Sequence, residues 1–199
     1  MSTGNPSLAT TDPRPAVPRT APVPVQMPTG AAKALALLRL ATGAIFLWAF
    51  VDKTFGLGYA TASGNAWIDG GTPAGGYLGS VAVGPMESTF NSWAGQTWVD
   101  WMYMAGMLGI GAALVAGIGL RVTAVAGPLM MLFLWVGEFP PARHLSDGTP
   151  SGSSNPLVDQ HLVYALAMIV LAATSAGRVW GLGRAWERLA LVRRHPWLR

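Results

Sequence analysis

The side chains that could do chemistry in this chain are few. There is no cysteine, which removes disulfides, thiolate metal sites, iron–sulfur clusters and catalytic thiols. The three histidines are His144, His161 and His195. The last lies in the C-terminal tail, so a buried bis-histidine haem site is not expected. Proton chemistry is left to Glu138, His161, Asp159 and Asp52, because an acid and an imidazole sharing a wet pocket exchange protons near neutral pH. Lys53, Arg143 and His144, with Asp100 beside them, form the candidate substrate-binding set. An arriving oxyanion would have to use these cations or backbone amides. Ion pairs of these cations with Asp52 and Glu138 are the competing expectation. His144 and His161 lack the spacing of two metal ligands on one helix. With Asp159 and Glu138 they would hold a metal only if the fold converged them, and no bound metal or haem is expected.

These residues need a scaffold, and composition makes lipid its solvent. The chain is 51% hydrophobic and only 11% charged, against about 25% charged in a soluble domain. Apolar segments run over about 34–52, 99–120, 122–139 and 157–176, each near the roughly 17–25 residues that cross a hydrocarbon core. The third stops at Pro140-Pro141, which cannot continue a helix. Only Gly119-Leu120-Arg121 divides the second from the third, which predicts a tight helical hairpin. The expected fold class is all-α: a four-helix transmembrane bundle with a long outer loop, 53–98, between helices 1 and 2.

Arginine and lysine orient the bundle. Arg14, Arg19, Lys33, Arg121, Arg178, Arg184, Arg188, Arg193, Arg194 and Arg199 fall on one side, and only Lys53 and Arg143 on the other. The positive-inside rule then predicts cytoplasmic N and C termini in a multi-pass protein of the plasma (inner) membrane. The net charge of +4 is therefore an orientation signal, and no nucleic-acid partner is expected. In this arrangement Asp52, Lys53, Asp100, Glu138, Arg143, His144, Asp159 and His161 share one layer, the outer rim. Carboxylates at helix starts also favour the helix dipole, so part of the layer is ordinary helix-end polarity.

Other side chains have assigned places. Arg39, one to two turns inside the basic side, is expected to snorkel to the inner headgroups or to hydrogen-bond a polar head inside the bundle. Trp48, Trp101 and Trp135 read as interface belt or packing, and with Arg39 they are the candidate quinone-binding residues. Ala105, Gly109, Ala113 and Gly117, at intervals of four, predict a helix-packing seam. The aromatic, glycine-rich loop 53–98 reads as a lid over the outer mouth, since long ordered loops are often functional. Residues 1–32 read as a disordered cytoplasmic tail without a cleavable signal. Residues 33–178 read as the membrane domain, and 179–199 as a basic interfacial helix.

Three stretches carry a family resemblance. LRLATGAIFLWAFVDKTFGLGY is similar to the opening helix of the DoxX/DoxD membrane protein family, and WIDGGTPAGGYL to the loop motif that follows it. NPLVDQHLVYALAMIVLA with GRVWGLGRAWERL resembles that family's last helix and exit. The similarity covers roughly residues 35–190. It implies a four-helix membrane protein related to DoxD, the membrane subunit of a thiosulfate:quinone oxidoreductase. That enzyme oxidises thiosulfate to tetrathionate, passes electrons to quinone, and pairs DoxD with a DoxA subunit. The resemblance thus implies quinone as a diffusible acceptor and a DoxA-like partner or larger membrane complex. The site residues above come from the charge layer alone. The rival expectation is a non-enzymatic membrane scaffold or accessory subunit.

Overall fold

The computed structural model of the protein describes Met1 and residues 27–198. The tail expected to be disordered lies almost wholly outside the described residues. Among the described residues every regular element is helical. Helix α1 spans Thr29–Phe55. It begins ahead of the apolar run because Gly30-Ala-Ala-Lys-Ala is rich in alanine, the strongest helix former. It stops where Gly56 turns left-handed (φ 62°) and returns its N–H to the Asp52 carbonyl, the usual role of a glycine past a helix end. The next segment is not a bare loop. It holds a 3₁₀ turn at Trp67–Asp69 and two short helices, α2 (Gly75–Gly79) and α3 (Glu87–Trp93).

Helix α4 covers Thr97–Ala116 and α5 covers Leu120–Glu138. The turn between them is tight, as the sequence predicts, because Gly117 (φ 72°) and Gly119 (φ 58°) both adopt left-handed backbone. Helix α6, Gln160–Ala173, is shorter than the 157–176 expected. Asp159 caps its start by accepting the N–H groups of His161 and Leu162, while Asn155 Oδ1 ties down the N–H groups of Leu157 and Val158 just before it. At the other end Ser175 takes a left-handed φ of 51°.

Three helices, α1, α4 and α5, are long and apolar enough to cross a membrane. The 14 residues of α6 reach roughly 21 Å at 1.5 Å per residue, short of a core of about 30 Å. Large apolar side chains such as Ile45, Val125, Leu132, Val163 and Leu166 stand exposed on the helix surfaces, which is the surface a bilayer solvates.

Helix α1 packs closely on α4, and α5 on α6, whereas α4 and α5 meet much less although they are joined by a two-glycine turn. Glycines set the close seams. A Cβ on Gly43 would lie 2.9 Å from the Leu114 Cβ, and one on Gly111 3.0 Å from the Leu47 backbone nitrogen. Gly127 similarly receives the Met168 thioether. Of the expected seam of Ala105, Gly109, Ala113 and Gly117, only Gly117 is buried, and the backbone it meets is that of Gly177 rather than of a neighbouring long helix. Ala105 and Gly109 are exposed, and a Cβ at Gly109 would meet nothing within 4 Å. The interval of four was right for a face, but the face in contact is the one carrying Met104, Met107, Gly111 and Leu114. Between the helices, methionines fill an irregular core around Met104, Met107, Met131 and Met168, suited to their flexible thioethers.

The end with the chain's termini is tied together by Arg39, which is fully buried and does not snorkel outward. Its guanidinium donates to the carbonyls of Leu114 and Val115, the last turn of α4, and to those of Val179 and Trp180. A cation at a helix C-terminus is favoured by the dipole; here it supplies a donor to the Val115 carbonyl and a second one to the Leu114 carbonyl, which also accepts the Gly117 N–H. The backbone wraps tightly around it: a Cβ on Gly117 would come within 3.1 Å of one Arg39 nitrogen, and one on Gly181 within 3.1 Å of the other. Residues 179–198 do not form the single interfacial helix expected. They fold as the short turns α7 (Gly183–Trp186) and α8 (Ala190–Arg194) and a closing 3₁₀ turn. The Trp186 indole N–H bonds the Leu198 carbonyl, and Arg121 bonds that of Pro196.

Candidate functional site

The lid segment is fastened to the helix ends by two buried carboxylates. Asp52, near the end of α1, accepts the N–H groups of Tyr59 (3.3 Å) and Ala60 (3.0 Å). Asp100, in the first turn of α4, accepts that of Ala74 at 2.8 Å. Both are almost completely buried, and a buried carboxylate persists where N–H donors meet it. Lys53 lies within electrostatic reach of both and 5.9 Å from the centre of the Tyr103 ring. Among the described residues neither Lys53 nor Arg143 forms an ion pair, and Arg143 and His144 are exposed. Among the described residues the expected pairing with Asp52 and Glu138 does not form: backbone amides hold Asp52, and Glu138 stands beside His161 instead.

The lid is anchored over the gap between α4 and α5. Its own small core joins Leu78, Val81 and Phe90 to Val99 of α4. The Tyr77 hydroxyl donates to the Leu134 carbonyl at 2.6 Å, against the spot where Gly137 lacks a side chain. Beneath lies an almost wholly apolar cavity of about 240 Å³, lined by Tyr77, Trp93, Tyr103, Gly106, Ala126 and Met130 among others. Met102, Leu129 and Phe133 also line it and are exposed on the outer surface, so the cavity opens sideways between the helices. Tyr77 is committed to Leu134, whereas the Tyr103 hydroxyl makes no hydrogen bond among the described residues.

Beyond Tyr77 stands the polar cluster. His161 Nδ1 lies 2.7 Å from Asp159 Oδ2 and 3.9 Å from Glu138 Oε2. His161 is buried, and Glu138 is nearly half exposed. A polar cavity of about 460 Å³, lined by Ser151, Ser153, Asn155, Glu138 and Asp159, adjoins the cluster. Burial pushes the Asp159 carboxyl up, but the His161 ring, the Leu162 and His161 N–H groups and the imidazole's charge outweigh it, so its pKa lies below the ordinary value. The Tyr77 phenol is pushed well above its ordinary value, by burial first and then by the nearby Glu138, Tyr103 and Asp159. It therefore stays a hydrogen-bond donor.

No protein-family model, curated protein or solved structure matches this chain.

The nominated residues thus divide. Glu138, Asp159 and His161 are brought together. Asp52 and Asp100 serve as lid anchors near Lys53. Trp48 stacks edge-on with Tyr59, Trp101 with Trp67, and Trp135 with Phe139. None of these three tryptophans, nor Arg39 at the opposite end, lines the apolar cavity. The residues that do, Tyr77 and Trp93 of the lid and Tyr103 of α4, were readable in sequence only as lid aromatics or not at all. Tyr103, one turn after Asp100 on an apolar helix, was the available signal.

Proposed function

We propose that the protein is the membrane subunit of a quinone-linked oxidoreductase, with the quinone head seated in the cavity between α4 and α5. The carrying observation is that cavity: apolar, open sideways, roofed by the lid and bordered by Tyr103. Its volume is about 240 Å³, below the roughly 300–1,000 Å³ of pockets that enclose a whole drug-sized ligand. It suits a ring whose isoprenoid tail stays in lipid. The Tyr103 hydroxyl is the donor available to a quinone carbonyl. Glu138, Asp159 and His161 exchange protons with the outer solvent through the polar cavity.

In this reading α6 and its flanking residues complete a fourth crossing, both termini are cytoplasmic, and the membrane is the plasma membrane. The basic residues at the Arg39 end support that orientation. The DoxX/DoxD resemblance adds thiosulfate as the electron donor. The chain has no cysteine, so sulfur chemistry through a protein thiol falls to a partner, DoxA-like or part of a larger complex. The test is quinone reduction by thiosulfate, and by other sulfur donors, in lipid-reconstituted protein with its co-purifying partners. Turnover that Ala126→Phe abolishes is the expected result. A complete absence of turnover with every sulfur donor removes the oxidoreductase reading and leaves an accessory membrane subunit.

A further inference from the structure

Glu138, Asp159 and His161 reach one point from two elements, the last residue of α5 and the start of α6. One ligand atom from each lies within 4.8 Å of the other two. Hydrogen bonds fix two of the three groups relative to one another. Asp159 Oδ1 is fixed by the N–H groups of His161 and Leu162, at 3.0 and 3.2 Å, which leaves Oδ2 facing the imidazole. His161 is buried and Glu138 stands nearly half exposed at the solvent edge. Ligands about 2.1 Å from an octahedral cation stand about 3 Å apart in neighbouring positions. The Nδ1–Oδ2 separation of 2.7 Å needs to widen by a few tenths of an ångström, and the Nδ1–Oε2 separation of 3.9 Å needs to close by about one. Glu138 can supply the second movement by side-chain rotation. The remaining coordination positions face the polar cavity of about 460 Å³, ample for several waters at about 30 Å³ each.

We propose that these three side chains form a divalent transition-metal site, with the cation replacing the proton on His161 Nδ1. One imidazole with two carboxylates and open water positions favours a first-row ion such as Mn²⁺, Fe²⁺ or Zn²⁺ over Mg²⁺ or Ca²⁺, which prefer all-oxygen ligands. A water on the cation is acidified, so proton exchange with the outer solvent stays at the same place. The site does not depend on what occupies the apolar cavity.

The test uses the full chain in detergent, stripped with chelator and titrated with Mn²⁺ alone, followed by electron spin echo envelope modulation. One Mn²⁺ bound per chain is expected, with nitrogen modulation from an imidazole that His161→Gln abolishes. Glu138→Gln, at an exposed position, is expected to weaken binding by about tenfold or more. Melting of both variants near the wild-type temperature establishes that they fold. If His161→Gln does not fold, the nitrogen signal in wild type and the Glu138→Gln affinity decide. No binding, binding without nitrogen modulation, or binding that Glu138→Gln leaves unchanged overturns the site. Quinone labelling reads no metal, so those results leave the cavity assignment standing.

Discussion

The phenol of Tyr77 occupies the space that a side chain at position 137 would fill: a Cβ on Gly137 would lie 2.5 Å from the Tyr77 oxygen. This contact seats the lid on α5. Gly137→Ala is expected to dislodge Tyr77 and raise hydrogen exchange across 72–93. Tyr77→Phe keeps the ring and removes only the bond to Leu134, a change of about 1 kcal/mol. It should raise exchange in the same region by less. Equal, wild-type exchange in both variants would show that the lid is held elsewhere.

Arg39→Met should destabilise the protein by at least about 2 kcal/mol, because buried carbonyls at the end of α4 lose their donor. Arg39→Lys should restore only part of this, since one ammonium cannot span the four carbonyls that Arg39 reaches. Thermal melting followed by tryptophan fluorescence measures both.

Asp159 makes stability depend on pH. Its folded-state pKa is depressed, so its contribution is full above the unfolded carboxylate value of about 3.9 and is lost as pH falls through the lower folded value. Asp159→Asn keeps a good N-cap and removes only the charge facing the His161 ring, so it should cost no more than about 1 kcal/mol near neutral pH. The gap in melting temperature from wild type should close below about pH 4. A gap that persists unchanged at acid pH would assign Asp159 a purely steric role.

The helices and their polar ends were legible because they rest on local signals: long apolar runs, Gly117 and Gly119, Pro140, and the Asp159 cap. The layer shared by Glu138, Asp159 and His161 was legible as well, but the approach of His161 to 3.9 Å from Glu138 and 2.7 Å from Asp159 was not. It depends on how the 140–156 connection folds back, with Ser146 N–H bonded to the Ala82 carbonyl and Ser153 Oγ to that of Pro140. The small-residue stripe misled because spacing of four selects a face without saying which face meets a helix. Arg39 misled for a related reason. Sequence places it near an end, but its partners on α4 and at 179–180 lie far along the chain.

The glycine seams give a test of packing. Gly43→Leu and Gly111→Leu each force a side chain onto the neighbouring helix, at about 1–3 kcal/mol. Gly109→Leu, on the exposed face, should leave melting nearly unchanged. A Gly109→Leu loss matching the other two would return the seam to the stripe.

Photolabelling with an azidoquinone in lipid nanodiscs tests the central assignment most directly. Label is expected on peptides carrying Met102, Tyr103 and Met130, displaced by excess quinone and lost in Ala126→Phe. Label confined to the surfaces around Trp48 and Trp101, or label that neither excess quinone nor Ala126→Phe reduces, would contradict it.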